Sequence, residues 1–289
     1  MQKDPYAGNT FEECLRIWAL ETGQTLHAVN LLLQHLRKHT YSDLPTDART
    51  LLKPPSATIE EREIVPIPGG QLWYQGVKRC LQLYFSSSSP PDSGFCVDFF
   101  FDGLPLYKSS KKQFWPILMK IHNMPQLPVM TVVIYRGELK PLFVKDYLRP
   151  FVIEVNELQT KGPKNGGRMY WVSLRAIITD SPARSYIKGV KGHNAIWGCH
   201  KCKSQTEVMP GSARRFYPYN ADSQPRTDAL FRAGAYSQHI VNPTPLSDLI
   251  KCDLIRTIVV SDRLHLIDQG VMKKLLKLWT QGISGCVAK

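Results

Sequence analysis

Two aspartates, Asp102 and Asp180, each follow directly after a run of apolar residues. The first run, residues 95–101, leads into Asp102 and a Gly-Leu-Pro segment that cannot continue a strand. A continuous apolar run bounded by turn residues is typical of a strand buried on both faces. A carboxylate at the end of such a strand is held rigidly, as a ligand for a divalent metal ion in phosphoryl transfer must be. Asp98 competes with Asp102 for this role, because alternate residues share one face of a strand.

Two further pairs of residues could do chemistry downstream of Asp180. Cys199 and Cys202 form a Cys-x-x-Cys pair, which is half of a tetrahedral zinc site and needs two more thiolate or imidazole ligands. Two reduced cysteines packed beneath a loop explain the same pattern. Asp262 and His265 are three residues apart on a predicted helix, so they lie on one face and could share a hydrogen bond. A capped core helix with a satisfied histidine is the alternative for this pair.

The positive charge is concentrated in the part of the chain that carries these residues. The 289 residues have a net charge of +13. Residues 1–65 hold 7 Lys/Arg against 9 Asp/Glu, whereas residues 105–289 hold 28 against 12. Because each Lys or Arg that meets a phosphate releases a counterion, the excess predicts a polyanionic partner. A merely soluble basic surface is the alternative.

The remaining composition points to an intracellular protein. No apolar run approaches the length of a membrane helix, and the first residues lack the apolar core of a signal peptide. We therefore expect no membrane contact. The seven cysteines are odd in number and widely spaced, which argues against a disulfide framework and for reduced thiols.

Hydrophobic periodicity predicts helices first and a sheet afterwards. A capping box at Thr10 and Glu13 opens one helix, a second follows from Thr25 to about Lys38, and a third spans Gln71 to Phe85. Beyond the polar segment 86–93 the pattern changes to strands at 95–101, 114–121, 128–135 and 168–180, with a helix at 145–160 before the last strand. Three strands, a helix and a strand that ends in an acid are the element order of an RNase H-like domain.

The predicted fold is α+β or α/β, with an RNase H-like catalytic core made of a mixed sheet and flanking helices. A small helical region precedes this core, and an insertion follows its fourth strand. The predicted organisation is a helical N-terminal region at 1–85, a linker at 86–93, the core at 94–190, an insertion with the cysteine pair at 191–260, and a helical end of the core at 261–289.

Five short blocks follow one another along the chain, at 102–118, 135–141, 180–184, 192–202 and 262–276. They include Asp-Gly-Leu-Pro, Tyr-Arg-Gly-Glu-Leu-Lys-Pro, Asp-Ser-Pro-Ala-Arg, Gly-Cys-His-Lys-Cys and Asp-Arg-Leu-His. In composition and order, they resemble the conserved blocks of CACTA (En/Spm-like) transposases. The helical leader resembles that of animal members, so the likeness covers nearly the whole chain.

The resemblance implies an RNase H-like enzyme that cleaves and joins DNA at transposon ends in the nucleus, by a two-metal mechanism with an Asp, Asp, Glu set. It makes Asp102 and Asp180 the first two acids, which would bind Mg²⁺ or Mn²⁺. It also implies a structural zinc ion held by Cys199 and Cys202 with two distant histidines. DNA is the implied partner, and a homo-oligomer is compatible with it. The histidines available for this zinc site are His193, His200, His239 and His265, and His200 is disfavoured because it lies between the two cysteines. The candidate pair is His239 and His265, and the candidate DNA contacts are Lys108, Lys111, Lys112, Arg184, Lys188 and Lys191.

The chain departs from the family pattern at the third acid. No glutamate follows Glu207, which lies in a polar loop close to Cys202. Two-metal catalysis loses most of its rate when one carboxylate is removed, so we expect the chain alone, apparently truncated at its C-terminus, to be inactive. Three hypotheses follow: a truncated transposase, a non-catalytic DNA- or partner-binding protein on the same fold, and an unrelated metal nuclease with an internal third acid.

Overall fold

The computed structural model describes residues 6–40, 43–52, 64–85, 94–107, 109–165, 168–260 and 262–281. The predicted linker at 86–93 and the candidate DNA contact Lys108 lie outside these residues. The chain divides into two compact units, residues 1–61 and residues 62–289.

The first unit contains the two predicted helices and a short third one. Helix α1 is Phe11–Glu21, α2 is Leu26–His39 and α3 is Ala48–Leu51. The predicted capping box is confirmed, because Glu13 N–H donates to Thr10 Oγ1 and Thr10 N–H donates to the Glu13 carboxylate. The helices enclose a small apolar cluster of Ala19, Val29, Leu33, Leu44, Ala48 and Leu51.

The second unit is built on a mixed sheet with helices packed against it. Its strands are β1 (Ile64–Ile67), β2 (Gly70–Tyr74), β3 (Phe95–Phe101), β4 (Leu104–Tyr107), β5 (Ser110–Ile121), β6 (Met130–Gly137) and, after two short strands, β9 (Val172–Thr179). The strand order is β1-β2-β6-β5-β3-β9, with β4 paired to β5. All pairs are antiparallel except β3 and β9, which run parallel.

Helix α5 (Val144–Lys161) connects β6 to the later strands and covers the sheet. Its Phe151 ring packs edge-on against Phe99 and Phe101 of β3, with ring centroids 4.8 and 5.7 Å apart. The two-residue strands β7 (Lys164–Asn165) and β8 (Arg168–Met169) follow, and β9 leads into α6 (Ser181–Lys188). The predicted mixed sheet with flanking helices is therefore confirmed at the level of an α/β architecture.

The helix predicted over Gln71 to Phe85 is wrong in its first half. Residues 70–74 form β2, which pairs with β6, and only Val77–Tyr84 are helical, as α4. Gly76, between β2 and α4, has a φ of 86°, which a helix does not accommodate. The residues before it instead pair with the free edge of β6 as a strand. The expected boundary at residues 86–93 therefore falls inside the second unit.

The carboxylate of Glu154 on α5 binds the end of β2 and the start of α4. It accepts hydrogen bonds from the N–H groups of Val77 and Lys78, at 2.8 and 2.9 Å, and from the Tyr74 hydroxyl. The N-cap residue of α4 is Gly76, which has no side chain to accept these bonds. A neighbouring helix thus supplies the cap.

Glu154→Ala should lower the free energy of unfolding by about 2 kcal/mol, because it leaves two helix N-terminal amides without their acceptor. Glu154→Gln keeps an acceptor oxygen and should lose about half of that. Urea unfolding measures both effects. The matched control is Glu157→Ala, one turn along α5, where an exposed ion pair with Lys161 contributes little. Equal losses at both positions would contradict the capping role.

The rest of the second unit has little regular structure before its end. It contains β10 (Glu207–Val208), β11 (Arg215–Phe216), α7 (Asp228–Arg232) and a 3₁₀ turn at Pro245–Asp248. A π-helical segment, Arg263–Met272, then leads into α8 (Lys273–Gln281). Within the residues that the structure describes, no helix is both long and apolar enough to span a membrane.

Candidate functional site

The parallel pairing of β3 and β9 brings the two candidate acids together. Phe101 is the register partner of Thr179, and the next residues on the two strands are Asp102 and Asp180. Neighbouring strands lie about 4.8 Å apart, and parallel strands end at the same edge of a sheet. The two aspartates therefore leave the sheet side by side at the carboxyl ends of the strands.

Backbone amides hold both carboxylates in place. Asp102 Oδ1 accepts from the N–H of Gly103 at 2.7 Å, and Asp180 Oδ1 accepts from the N–H of Ala183 at 2.7 Å. The second bond makes Asp180 the N-cap of α6. These bonds each engage the Oδ1 atom, which orients the side chain before any ligand arrives.

A third chain segment extends the sheet beyond β9 and delivers another acid. Ile258 forms a parallel bridge with Ile177, because Ile177 N–H donates to Thr257 O and Val259 N–H donates to Ile177 O. Parallel pairing sends the residues after Ile258 toward the edge that holds Asp180, which is how Asp262 reaches the site. The sequence pattern placed Asp262 on a helix and did not predict this pairing, although the β-branched residues 257–260 (Thr-Ile-Val-Val) are typical of a strand.

Asp262 and His265 form a hydrogen-bonded pair. Asp262 caps the π-helical segment by accepting from the N–H groups of Leu264 and His265, and its Oδ2 lies 2.8 Å from His265 Nδ1. Its side chain is 12% exposed, whereas that of His265 is 40% exposed. A carboxylate on Nδ1 favours the tautomer that leaves Nε2 as an acceptor.

One cavity of about 360 Å³ is lined by Asp102, Asp180, Asp262 and His265. Its other walls are mainly apolar and include Phe100, Leu118 and Ile178. Burial raises the pKa of Asp102, and the charges of Asp180 and Asp262 raise it further, against the opposing effects of the Gly103 amide and His265. Negative charge is thus crowded in a poorly solvated place. A bound cation would relieve this repulsion.

The competing acid, Asp98, forms an ion pair with Arg175. It is 4% exposed and accepts from Nε of Arg175 at 2.7 Å and from a second nitrogen of the same guanidinium. His122 Nδ1 lies 3.7 Å from the same carboxylate. A bidentate pair with arginine occupies both oxygens, so the structure favours Asp102 over Asp98 as the candidate ligand.

The acid pair fits a divalent cation as two ligands of an incomplete set. Oriented carboxylates at a rigid edge are the oxygen ligands that Mg²⁺ and Mn²⁺ prefer. In the part of the chain that the structure describes, however, no group of three or more His, Cys, Asp or Glu side chains is arranged to hold a metal ion. The third ligand that two-metal chemistry requires is not supplied by these residues as they stand.

The expected zinc set is not gathered in one place. Cys199 Sγ and Cys202 Sγ lie 3.2 Å apart, where zinc bonds of about 2.3 Å would set them about 3.8 Å apart. Burial raises the pKa of Cys202, but its hydrogen bonding with Ser204 and Ser223 outweighs burial and lowers that pKa to about 7. His239 is buried, with Nδ1 held 2.7 Å from Trp197 O, while His265 pairs with Asp262 in the acidic cavity. The two thiols suit a soft metal, but the predicted four-residue set does not assemble.

Two of the predicted DNA contacts are interior residues, which corrects the expectation. Arg184 is 7% exposed and donates to the carbonyls of Thr179 and Val259, so it joins the ends of the segments that carry Asp180 and Asp262. Lys188 is 2% exposed. Arg184 and Lys188 are four residues apart on α6, so both lie on its buried face with Ala183 and Ile187. Lys111 and Lys112 are exposed at the start of β5, and Lys191 is partly exposed after α6.

The fold and the cavity together define a mixed α/β protein with an acidic site at the carboxyl ends of its parallel strands, where such folds commonly bind ligands. No protein-family model matches the chain, and no curated protein matches it.

Proposed function

We propose that this chain is a transposase-derived DNA-binding domain with an RNase H-like core, related to the CACTA group and acting in the nucleus. The observation that carries the proposal is the register of β3 and β9, which sets Asp102 and Asp180 side by side at one sheet edge. The basic balance of residues 105–289 supports a polyanionic substrate at the same unit. Assembly as a homo-oligomer belongs to the same proposal.

Asp102 and Asp180 would bind the divalent ion through their Oδ2 atoms, because each Oδ1 atom accepts a hydrogen bond from a backbone amide. When bound, such ions activate an attacking hydroxyl and stabilise the leaving oxygen of a phosphodiester. The chain's own contribution is to hold the two carboxylates rigid, through the Gly103 amide and the N-terminus of α6, beside an apolar wall that limits water.

We infer that the chain alone binds DNA but does not cleave it efficiently. Asp262 is already engaged by two backbone amides and by His265, and the described residues contain no group of three metal ligands. An under-coordinated ion stabilises the transition state poorly. This favours the non-catalytic DNA-binding reading over the unrelated metal nuclease, which would need a complete set.

The test is duplex binding measured at several salt concentrations, with and without Mg²⁺ or Mn²⁺, together with an assay for strand cleavage. We expect binding that weakens steeply with salt and little cleavage with either ion. Lys111→Glu with Lys112→Glu should reduce affinity about tenfold or more, because two exposed cations become anions. Lys161→Glu, on the exposed surface of α5, is the control. Salt-independent or absent binding would overturn the proposal, and rapid cleavage abolished by Asp180→Asn would restore the nuclease reading.

A further inference from the structure

A second cavity, of about 520 Å³, lies away from the acid pair. Its lining comes from α5, the end of α6, α7 and the segment 240–248, and it shares no residue with the acidic cavity. Four cations line it, and the one carboxylate among its lining residues is Asp248. These cations are Lys145, Arg149, Lys188 and Arg232. The volume is in the range of sites that bind small organic molecules.

Lys188 gives this cavity a buried charged side chain. Lys188 is 2% exposed, and its Nζ donates to Leu254 O at 3.1 Å, one bond for three N–H donors within the described residues. The same Nζ lies 5.2 Å from the centroid of the Phe231 ring, which also lines the cavity. Lys188 therefore lines the cavity, and its ammonium group has donor capacity remaining among the described residues.

The surroundings of Lys188 are strongly positive. Of the charged groups with the largest effect on it, Lys201, Arg184 and Arg226 are cations and Asp253 is an acid. The charge of Lys188 also acts on His200 and His239. Burial and these cations lower the pKa of Lys188 to about 7. An anion is the partner that would compensate a buried cluster of this kind.

The walls of the cavity are held in place. Arg232 donates to Asp228, to Ser247 O and to Cys252 O, so its guanidinium is oriented without a ligand. Arg149 pairs with Asp248 across the rim. The segment 240–245 is fastened to the end of α6, because Val241 and Asn242 N–H donate to Gly189 O. Gly189 has a φ of 64°, and a Cβ there would lie 2.1 Å from Asn242 O, so glycine permits this close approach.

We propose that this cavity binds a small organic phosphate, with the phosphate group against Lys188 and the apolar part against Phe231 and Ile240. Lys188 and the exposed Lys145 supply charge-assisted hydrogen bonds, whereas Arg149 and Arg232 are already paired with Asp248 and Asp228. The ring of Phe231 and the prolines at 243 and 245 supply an apolar wall. Lys145, which is exposed, would attract the anion and contact its outer oxygens.

Calorimetric titration with adenosine monophosphate is the first test. The full chain should bind it with a Kd between about 10 µM and 1 mM, and Lys188→Met should weaken binding about tenfold or more. Lys161→Met, at an exposed position of α5, should leave affinity unchanged. Failure to bind, or equal affinity in wild type and Lys188→Met, would overturn the proposal. Thermal unfolding of each variant verifies that it is folded.

Sulfate provides a second readout, since its own charge stays constant near neutral pH. Binding of an anion should draw a proton onto Lys188, so sulfate affinity should fall as pH rises from about 6 to 8, and this dependence should vanish in Lys188→Met. An unchanged pH dependence in the variant would assign the site to the arginines and overturn the role of Lys188.

Duplex DNA distinguishes the two sources of phosphate. For a small-molecule site, adenosine monophosphate should bind equally in the presence of DNA, and Lys188→Met should leave DNA affinity intact. Competition between the two would overturn the small-molecule assignment and give the cavity to the DNA backbone. This test is independent of the proposed function, because nucleotide binding is measured whether or not the chain binds DNA.

Discussion

Asp102→Asn should abolish most of the stabilisation that Mn²⁺ confers on the protein, while leaving the metal-free protein slightly more stable. At a Mn²⁺ concentration about 100 times Kd, binding raises the free energy of unfolding by about 2.7 kcal/mol, and a site weakened about 100-fold would retain about 0.4 kcal/mol. Asparagine keeps the oxygen that accepts from Gly103 N–H, so the fold is preserved. Thermal unfolding with and without Mn²⁺ measures both effects.

The gain in the metal-free protein has an electrostatic cause. Burial and the charges of Asp180 and Asp262 raise the pKa of Asp102, so its ionised form is disfavoured where it stands. The carboxylate is partly solvated, and solvent screening limits the gain from neutralising it to about 0.5 kcal/mol. Asp222→Asn, in an exposed loop, is the matched control. An Asp102→Asn protein with an undiminished response to Mn²⁺ would remove the acid pair from consideration as a metal site.

Lys188→Met should stabilise the protein at pH 7 by about 3 kcal/mol. Burial is the largest cause that lowers the pKa of Lys188 from 10.5 to about 7, followed by the neighbouring cations. A shift of this size corresponds to about 4 to 5 kcal/mol, from which about 1 kcal/mol is subtracted for the lost hydrogen bond to Leu254 O. Methionine fills a similar volume without a charge.

The stabilisation by Lys188→Met should depend on pH. In the unfolded chain Lys188 stays protonated up to its ordinary pKa, whereas in the folded protein it releases the proton near pH 7. Because the unfolded state binds more protons between pH 7 and 10.5, the wild-type protein gains stability as pH rises through this window. The advantage of Lys188→Met should therefore be complete below about pH 7 and shrink toward about pH 10.

Urea unfolding at several pH values measures the difference between variant and wild type. Lys161→Met, at an exposed position, should change stability by less than about 0.5 kcal/mol at every pH. A variant that is less stable than wild type at pH 7, or whose advantage does not vary with pH, would show that Lys188 is well accommodated as a cation.

Local patterns in the sequence were sufficient to predict the strand β3, the helix α5, the capped helix α1 and the position of two acids at strand ends. Each depends on residues within about ten positions of one another, such as an apolar run followed by Gly-Leu-Pro, or Thr10 with Glu13. Signals of this kind survive without knowledge of the partner strands. The helical pattern over residues 71–75 gave a wrong prediction, because residues 70–74 pair with β6 and form a strand.

The candidate site itself was decided by long-range contacts. Asp102 and Asp180 are neighbours because β3 and β9 pair in parallel with Phe101 opposite Thr179, and Asp262 joins them because Ile258 pairs with Ile177. The tertiary structure also placed Arg184 and Lys188 inside, and it assigned His265 to Asp262 rather than to the cysteines. The sequence by itself determined which groups end each strand, since turn chemistry is local. Only the tertiary structure decided which ends meet, because strand order and register depend on residues far apart in the chain.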